Sequence, residues 1–391
     1  MTFDKTKMAL QKERLLRRVL KVYPKLRVGP IKDVAPSLDY QSIFELNQRS
    51  WADTYAARRG FEYSTGYFAW AYGDDSLNSP ISIAATDDSR LVGVLLHAQR
   101  RIMHNGKNIT AGMPCSLSIS PEYKGRSLAQ LLSLYYLEQA SDQLDAIFVW
   151  FDASRKQFNK LDAFYNRMYG PGLDLAKHAV LIGTCPFRMK THDLARMCAI
   201  TGINIFQAFL VRMVMALSGL GSRKMSAQVS LIDPGCLREA MDFANSCSAK
   251  DHYGRLFTEK EFEHYVSFKY PASDFHSIGA VLRLNGCITG MAVGHPLTFV
   301  SPDAKRDTIF FLDSVVYDPQ CPNCELKGFL NKFLKMAQSM CDPCCTMTMC
   351  KINMSTGYVP TDQRIVCFGL SIMGELKAVD DTNPVQVIDF R

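Results

Sequence analysis

A strand that passes through a polar turn into a helix is the feature of this sequence that most constrains its fold. The apolar segment ending at Ile119 is followed by the turn Pro121–Ser127, which contains one glycine and two basic residues. Beyond the turn, apolar residues recur at helical spacing over residues 128–136. The first amides of a helix have no partner within it and favour anions. The sequence therefore predicts a phosphate site here, although many α/β proteins with such a turn bind nothing at it.

The residues of the turn resemble a known phosphate-binding loop. The run Lys124–Ala129, preceded by Ser120-Pro121-Glu122-Tyr123, is similar to the acyl-CoA pyrophosphate loop of the Gcn5-related N-acetyltransferases. That loop reads Gln/Arg-x-x-Gly-x-Gly/Ala, so this chain departs from it at Lys124 and Ser127. The resemblance implies that the diphosphate of an acyl-CoA contacts six residues: Lys124, Gly125, Arg126, Ser127, Leu128 and Ala129.

The order of elements over residues 26–187 resembles the same family. Strands, helices and turns follow one another as strand, two helices, three strands, helix, strand, helix, strand. In that fold the strand before the loop and the apolar strand after the helix, here Ala146–Asp152, separate and admit the pantetheine arm. The resemblance implies that the arm pairs with the backbone of Leu117, Ser118 and Ile119.

The second half of the chain repeats the pattern more loosely. We expect an α/β (α+β) fold of two consecutive acetyltransferase-like domains, each a mixed, mostly antiparallel sheet flanked by helices. The predicted segments are a basic N-terminal helix (1–25), a domain carrying the loop (26–190), an apolar helix or linker (191–225) and a degenerate second domain (226–391). The equivalent turn of the second domain, Tyr317–Cys324, contains neither glycine nor a basic residue.

The positive charge of the chain lies at its start. Residues 1–28 hold nine Lys or Arg against two acidic residues, and the whole chain of 391 residues has a net charge of +7. The body is therefore close to neutral, which disfavours nucleic acid as a partner. Residues 5–23 form either a helix packed on the first domain with a solvated basic face, or a contact for an anionic membrane or an acidic acyl carrier protein.

Cysteine content and hydropathy indicate a reduced compartment. The thirteen cysteines are odd in number, and charged residues interrupt the start of the chain where a secretory signal would be apolar. We expect a cytoplasmic protein, with a peripheral position at the inner membrane face left open. The uncharged run 199–211 is shorter than the ~20 residues of a bilayer span; it is a helix between the domains or a shallow membrane contact.

Two CxxC pairs have the spacing of a four-thiolate zinc site: Cys321, Cys324, Cys341 and Cys344. The residues between the pairs carry the apolar stripe of one helix. Such a helix would hold the pairs roughly 24 Å apart, too far to share one ion. We therefore expect free thiols and no metal, with a zinc site as the alternative.

The remaining candidates are catalytic residues for the transfer of an acyl group to an amine. By resemblance, Tyr165 is the acid that protonates the leaving thiolate, with an ordinary helix tyrosine as the alternative; Asp152 and Glu122 are candidate bases. The predicted activity is acyl-CoA-dependent N-acyltransfer, most simply from acetyl-CoA, to the amine of a small molecule or of a lipid or natural-product intermediate. The alternatives are a carrier-protein-dependent or long-chain N-acyltransferase at a membrane surface, and a non-catalytic acyl-CoA-binding module. No Gly-x-Ser-x-Gly, His-Glu-x-x-His or Walker loop is present.

Overall fold

The computed structural model describes fourteen segments of the chain: residues 5–57, 60–104, 106–153, 177–189, 198, 204–206, 209–210, 213, 227–250, 254–273, 275–300, 305–341, 345–348 and 359–371. The helices with defined bounds are α1 (Lys5–Leu20), α2 (Ile31–Val34), α3 (Tyr40–Ala57), α4 (Thr65–Asn78), α5 (Leu128–Ala140), α6 (Leu237–Ser248), α7 (Glu259–Ser267) and α8 (Asn323–Cys341).

The strands form one continuous sheet. In the first part of the chain they are β1 (Leu26–Pro30), β2 (Gly60–Glu62), β3 (Ile83–Asp87), β4 (Arg90–His104), β5 (Lys107–Ile119), β6 (Ala146–Ala153) and β7 (Lys177–Met189). In the second they are β8 (Gln228–Leu231), β9 (Gly254–Leu256), β10 (Ile278–Leu284), β11 (Cys287–Val300), β12 (Arg306–Tyr317), β13 (Cys345–Thr348) and β14 (Val359–Ser371). The order across the sheet is β1-β3-β4-β5-β6-β14-β7-β13-β12-β11-β10-β8. The predicted α/β class, with mostly antiparallel strands flanked by helices, is confirmed.

The strands pair in the same pattern from either end of the sheet. The strands β1, β3, β4 and β5 pair antiparallel, and β5 then pairs parallel with β6. From the other end, β8, β10, β11 and β12 pair antiparallel, and β12 pairs parallel with β13. This matching order supports a duplicated unit, which stays a prediction.

The two halves exchange strands where they meet. The late strand β14 lies between β6 and β7, and β7 in turn pairs with β13. Two short strands also cross: β2 pairs with β11, and β9 pairs with β4. The halves are therefore joined through backbone hydrogen bonds as well as through side chains.

Three groups of buried side chains pack the sheet and its helices. A central core draws on both halves, with Tyr67 and Trp70 of α4 packed among Tyr265, Phe275 and Met291. A second core lies under α1 and α5 in the first half, and a third lies under α8 in the second half. In this arrangement α4 and α7 lie on the central side, whereas α5 and α8 cover the outer side.

Local sequence explains where several helices begin. Ser64 caps α4 by accepting a hydrogen bond from the Tyr67 amide, and Thr258 forms a capping box with Glu261 at the start of α7. Within α4, Gly73 has φ 64° and ψ 170°, which breaks the helix directly after Tyr72. A left-handed φ of this kind is tolerated best by glycine.

The apolar segment between the halves is described at few positions. Ile205, Phe206, Phe209, Leu210 and Met213 are among them, and each is exposed, by 45–67%. The other residues of the segment lie outside the described residues, so a helix between the domains stays a prediction. Among the described residues, none of the helices has both the length and the hydropathy to span a bilayer.

Candidate functional site

A bulge and a short ladder with β6 distinguish β5 from its neighbours. Ser116 and Leu117 lie opposite the single residue Leu95 of β4, and Ser116 has a left-handed φ of 53°. On its other side, β5 pairs with β6 only at Ala111 and Gly112. Beyond Gly112 the described residues of β5 and β6 form no ladder, and four residues farther on the bulge bends β5. We refer to this unpaired stretch as the gap; it is what the predicted separation of the two strands requires.

The residues that border this gap remain partly accessible. Residues 114–117 of β5 are half-buried, although Met113 before them and Ser118 after them are buried. A strand in the interior of a sheet normally has both edges paired. Here the backbone beyond Gly112 has no strand partner on the β6 side among the described residues. An extended molecule with amide groups could add to this edge as another strand would.

The turn after β5 opens a helix with free amides. Gly125 has φ 73° and Ser127 has φ 66°, so two left-handed residues flank Arg126. The Leu131 amide bonds to the Ser127 carbonyl; among the described residues, the amides of residues 128–130 have no acceptor. These groups and the dipole of α5 form a site suited to an anion.

The space in front of the turn is open. A Cβ atom built on Gly125 would meet no other atom within 4 Å. Residues 124–126 are exposed, whereas Leu128 is buried and fixes the start of α5. The loop is therefore accessible to a phosphate group while the helix behind it is anchored in the core.

Charged side chains approach the loop from two directions. The guanidinium of Arg18, on α1, donates to Ser127 Oγ over 2.8 Å. Arg126 is exposed and has no partner among the described residues. The ammonium group of Lys124 donates to the carbonyl of Ser50, so it fastens the loop to α3. Arg18 and Arg126 are consequently the cations best placed to meet an anion here.

Helix α1 packs on the elements that carry the loop and forms ion pairs with them. Met8, Leu15 and Val19 are buried in the core under α5. Its ion pairs join Lys5 to Asp142 and Lys12 to Glu138. Of the two alternatives for the basic N-terminal helix, the structure shows the one in which it packs on the first half. Its remaining basic side chains face solvent.

Two polar residues of α3 hold the end of β5 in place. The buried Asn47 amide donates to Ser118 Oγ over 3.0 Å, and Ser50 Oγ accepts a 3.0 Å hydrogen bond from the Ile119 amide. One of the backbone groups predicted to pair with pantetheine is thus already bound to α3. The accessible part of the strand lies nearer the bulge, at Leu117 and before it.

A hydroxyl pair that the sequence did not reveal lies at the bulge. Tyr72 Oη is 2.7 Å from Ser116 Oγ, and the Tyr72 ring stacks on Phe68. Burial raises the pKa of Tyr72 well above its ordinary value, with a smaller contribution from the nearby Cys115. The hydroxyl therefore stays protonated. Only the contact of α4 with the bulge distinguishes Tyr72 from Tyr67, the other tyrosine of this helix.

Of the predicted acid and the two predicted bases, the structure describes only the side chain of Glu122. Glu122 forms an ion pair with Arg90 and accepts a 2.7 Å hydrogen bond from Ser120 Oγ. Asp152 lies near the end of β6, opposite Ile365 of β14; its side chain lies outside the described residues, as does the whole of Tyr165.

The corresponding bulge in the second half is closed to solvent. Asp313 interrupts the register between β11 and β12, and Tyr265 of α7 donates to its carboxylate over 2.7 Å. Tyr265 Oη also lies 2.9 Å from Ser314 Oγ. The three residues are 3%, 5% and 0% exposed respectively, so no ligand reaches them.

The cysteine pairs flank an unbroken helix, as predicted. Cys321 is buried before α8, Cys324 is exposed in its first turn, and Cys341 donates from Sγ to the Ala337 carbonyl at its end. Cys344 lies outside the described residues. Within the segments that the structure describes, no group of three or more metal-binding side chains comes together.

Comparison with known proteins gives matches at the level of structure. The sequence matches no family model and no curated protein. The structure is similar to Saccharomyces cerevisiae N-myristoyltransferase with bound myristoyl-CoA, with a TM-score of 0.66, 13% identity and coverage of 93% of this chain and 87% of that one. Another structure of that enzyme, with myristoyl-CoA and inhibitors, has a TM-score of 0.65, 14% identity and coverage of 89% and 80%.

A bacterial protein extends the comparison. A GCN5-related N-acetyltransferase from Anabaena variabilis matches with a TM-score of 0.52, 9% identity and coverage of 89% of this chain and 73% of that one. At such identities the similarity defines architecture alone. The chain therefore has the fold that N-myristoyltransferase and the GCN5-related N-acetyltransferases share.

Proposed function

We propose that this chain is an acyl-CoA-dependent N-acyltransferase. The observation that carries the proposal is the continuity of the gap with the loop: the accessible edge of β5 leads directly to free helix-opening amides at residues 128–130. A thioester donor of this class has an anionic diphosphate at one end and an arm with two amides at the other. The two parts of the site match these two parts of the donor in order along the chain.

In this proposal the diphosphate binds at residues 124–129. Gly125 and Ser127 have the left-handed conformation found in anion-binding turns, and Arg18 and Arg126 supply positive charge. The pantetheine arm extends along β5 toward Leu117 and the bulge. The donor supplies the activated thioester carbonyl, and the protein holds that carbonyl within reach of the acceptor amine.

The chemistry requires a neutral amine, stabilisation of the oxyanion and protonation of the leaving sulfur. Tyr165 remains our proposed acid. Asp152 is the stronger candidate for the base, because it follows the part of β6 that borders the gap, whereas Glu122 is held by Arg90 and Ser120. The acceptor is proposed to be an amine of a small molecule or of a lipid or natural-product intermediate.

Donor binding can be tested without knowing the acceptor. Thermal unfolding is measured with acetyl-, octanoyl- and myristoyl-CoA, and native mass spectrometry records bound donor. We expect at least one donor to raise the unfolding temperature, and the ranking to identify the acyl group. Gly125→Glu should abolish the shift, because a carboxylate then occupies the space for the diphosphate.

The matched control is Gly286→Glu. Gly286 also has a positive φ, of 83°, and a Cβ there would likewise meet nothing within 4 Å. It lies in the β10–β11 turn, away from the loop, so this variant should respond to donor as the wild type does. If both glutamate variants respond equally, the diphosphate does not bind at Gly125.

The remaining hypotheses give other patterns in the same experiment. A response only to long-chain acyl-CoA or to an acylated carrier protein would favour the long-chain or carrier-dependent activity. A shift with every donor but no acyl transfer to a panel of amines would favour the non-catalytic binding module. No response to any thioester would contradict the proposal.

A further inference from the structure

The hydroxyl pair at the β5 bulge lies where a donor's thioester would be placed. From Ser116 to the end of β5 at Ile119 the strand makes three residue steps, about 10 Å, and the proposed diphosphate site at residues 124–129 begins beyond that end. A pantetheine arm from phosphate to sulfur is comparable with about four extended residues, roughly 14 Å. With the diphosphate held where the strand ends, the thioester of an extended arm reaches the bulge. This step rests on the proposed function.

The position of Tyr72 is fixed by its surroundings. It is the last residue before the break in α4 at Gly73, and the Tyr40 hydroxyl donates to the Gly73 carbonyl. Its ring stacks on Phe68, with the centroids 6.1 Å apart. A donor fixed in this way loses little entropy when it meets a substrate, which is a requirement for electrostatic preorganisation.

The pair also retains a proton that can be donated. Two hydroxyl groups carry two protons, and the 2.7 Å contact between Tyr72 and Ser116 uses one of them. Neither hydroxyl has a further partner among the described residues; both residues keep partial exposure, although the Tyr72 hydroxyl itself is buried deeply enough for its pKa to be raised. In the second half, by contrast, Tyr265 donates to the carboxylate of Asp313, which consumes its proton.

We propose that Tyr72, supported by Ser116, donates a hydrogen bond to the thioester carbonyl oxygen as that oxygen becomes an oxyanion. The amine nitrogen forms a bond to the carbonyl carbon, and the electron pair of the C=O bond moves to oxygen. When the pair returns, the C–S bond breaks and the thiolate leaves. The nitrogen loses one proton and the sulfur gains one, so the products are an amide and the free thiol. Tyr72 keeps its proton throughout.

A role as general acid fits Tyr72 less well. Burial raises its pKa well above the ordinary value of 10, whereas a thiol has a pKa of about 8.5. Transfer of a proton from the tyrosine to the thiolate would therefore be uphill. A neutral hydroxyl that only donates a hydrogen bond has no such difficulty.

The test uses the carbonyl itself as the probe. Donor labelled with carbon-13 at the thioester carbonyl is bound to the full chain, and isotope-edited infrared difference spectra are recorded. In the wild type we expect the carbonyl band below its position in free donor, because a hydrogen bond weakens the C=O bond. In Tyr72→Phe the band should return toward the free position, and in Ser116→Ala it should shift part of the way.

The kinetic readout complements the spectrum. With an amine that the wild type acylates, Tyr72→Phe should lower kcat by about 100-fold, the lower end for loss of one oxyanion donor. KM for the donor and the pH profile should be unchanged. Tyr270→Phe removes a hydroxyl that has no partner among the described residues and should leave both readouts at wild-type values. Thermal unfolding shows whether each variant is folded.

The outcomes separate this inference from the proposed function. If Tyr72→Phe and Ser116→Ala bind donor with the wild-type carbonyl band, the oxyanion role is wrong while donor binding stands. If the wild type binds no acyl-CoA at all, both proposals fail. Loss of one limb of the pH profile in Tyr72→Phe would replace the oxyanion role with an acid–base role.

Discussion

The hydroxyl of Tyr265 lies 2.9 Å from the hydroxyl of Ser314, which repeats in a buried setting the contact between Tyr72 and Ser116. Both tyrosines belong to the helix before a three-strand meander, and both contact a bulge in the last strand of that meander. In the second half the tyrosine also contacts the buried Asp313, and all three residues are closed to solvent. One half therefore uses this position for packing, whereas the other keeps it accessible.

The first prediction follows from that closure. Tyr265→Phe removes the 2.7 Å hydrogen bond to Asp313 and the 2.9 Å contact with Ser314. We expect it to lower the free energy of unfolding by about 1–3 kcal/mol, since buried polar groups lose a partner. Donor binding should not change. Chemical denaturation measures the effect, with Tyr270→Phe as the control because its hydroxyl has no partner among the described residues; equal stability of the two variants would contradict the prediction.

The contact between α1 and the loop predicts a role for the N-terminal helix in donor binding. Arg18→Ala removes the guanidinium that donates to Ser127 Oγ. We expect the Kd of acyl-CoA to rise about tenfold, because hydrogen bonds to charged groups are the stronger kind. The effect should shrink in high salt.

Arg14→Ala is the matched control for Arg18→Ala. Arg14 is exposed on the same helix and has no partner among the described residues. Isothermal titration at low and high salt compares the two. Equal loss of affinity in both variants would mean that only the overall charge of α1 matters.

The left-handed conformation of Ser127 gives an unusual order of stabilities. A non-glycine residue at φ 66° is strained by roughly 1 kcal/mol. Ser127→Ala keeps the strain and loses the bond from Arg18, whereas Ser127→Gly relieves the strain. We expect the glycine variant to be more stable than the alanine variant by about 1 kcal/mol. In a helix interior the order would be reversed, so an advantage of alanine in thermal unfolding would refute the assignment.

His97 predicts how stability depends on pH. It is 2% exposed, and its Nδ1 lies 3.2 Å from Tyr136 Oη. Burial, with a smaller contribution from Arg100, lowers its pKa from 6.5 to about 4. Between these values the unfolded chain takes up a proton that the folded protein does not. Stability should therefore fall as the pH is lowered from 6.5 toward 4, by up to about 3 kcal/mol.

The variant His97→Gln isolates this contribution. It cannot ionise, so its unfolding free energy should vary less between pH 6.5 and 4 than that of the wild type. Urea denaturation at half-unit steps of pH measures both. An unchanged pH dependence in the variant would mean that other groups account for it.

Much of the fold could be predicted where the determining signal is local. The periodicity of residues 128–136 predicts α5, and the Asn285-Gly286 turn predicts the hairpin of β10 and β11. Strand lengths are less local: β4 extends to His104 because it pairs with the whole of β5. A single sequence does not reveal how far a partner continues.

The exchange of strands had no such signal. The apolar pattern of residues 146–152 predicts a buried strand, but its neighbour β14 comes from near the end of the chain. Any apolar strand of suitable length satisfies that pattern. The role proposed for Tyr72 could not be predicted for a similar reason. It depends on a contact with the bulge at Ser116, and neither the helix sequence nor the strand sequence indicates that contact.

The position of β14 between β6 and β7 has a consequence for synthesis on the ribosome. When the first half has been translated, β6 still lacks the strand that covers its outer edge, and that edge stays open until residues 359–371 emerge. Unpaired edges invite pairing with other chains. Until β14 emerges, β6 of a nascent chain therefore has an unpaired edge at which another chain can add as a strand.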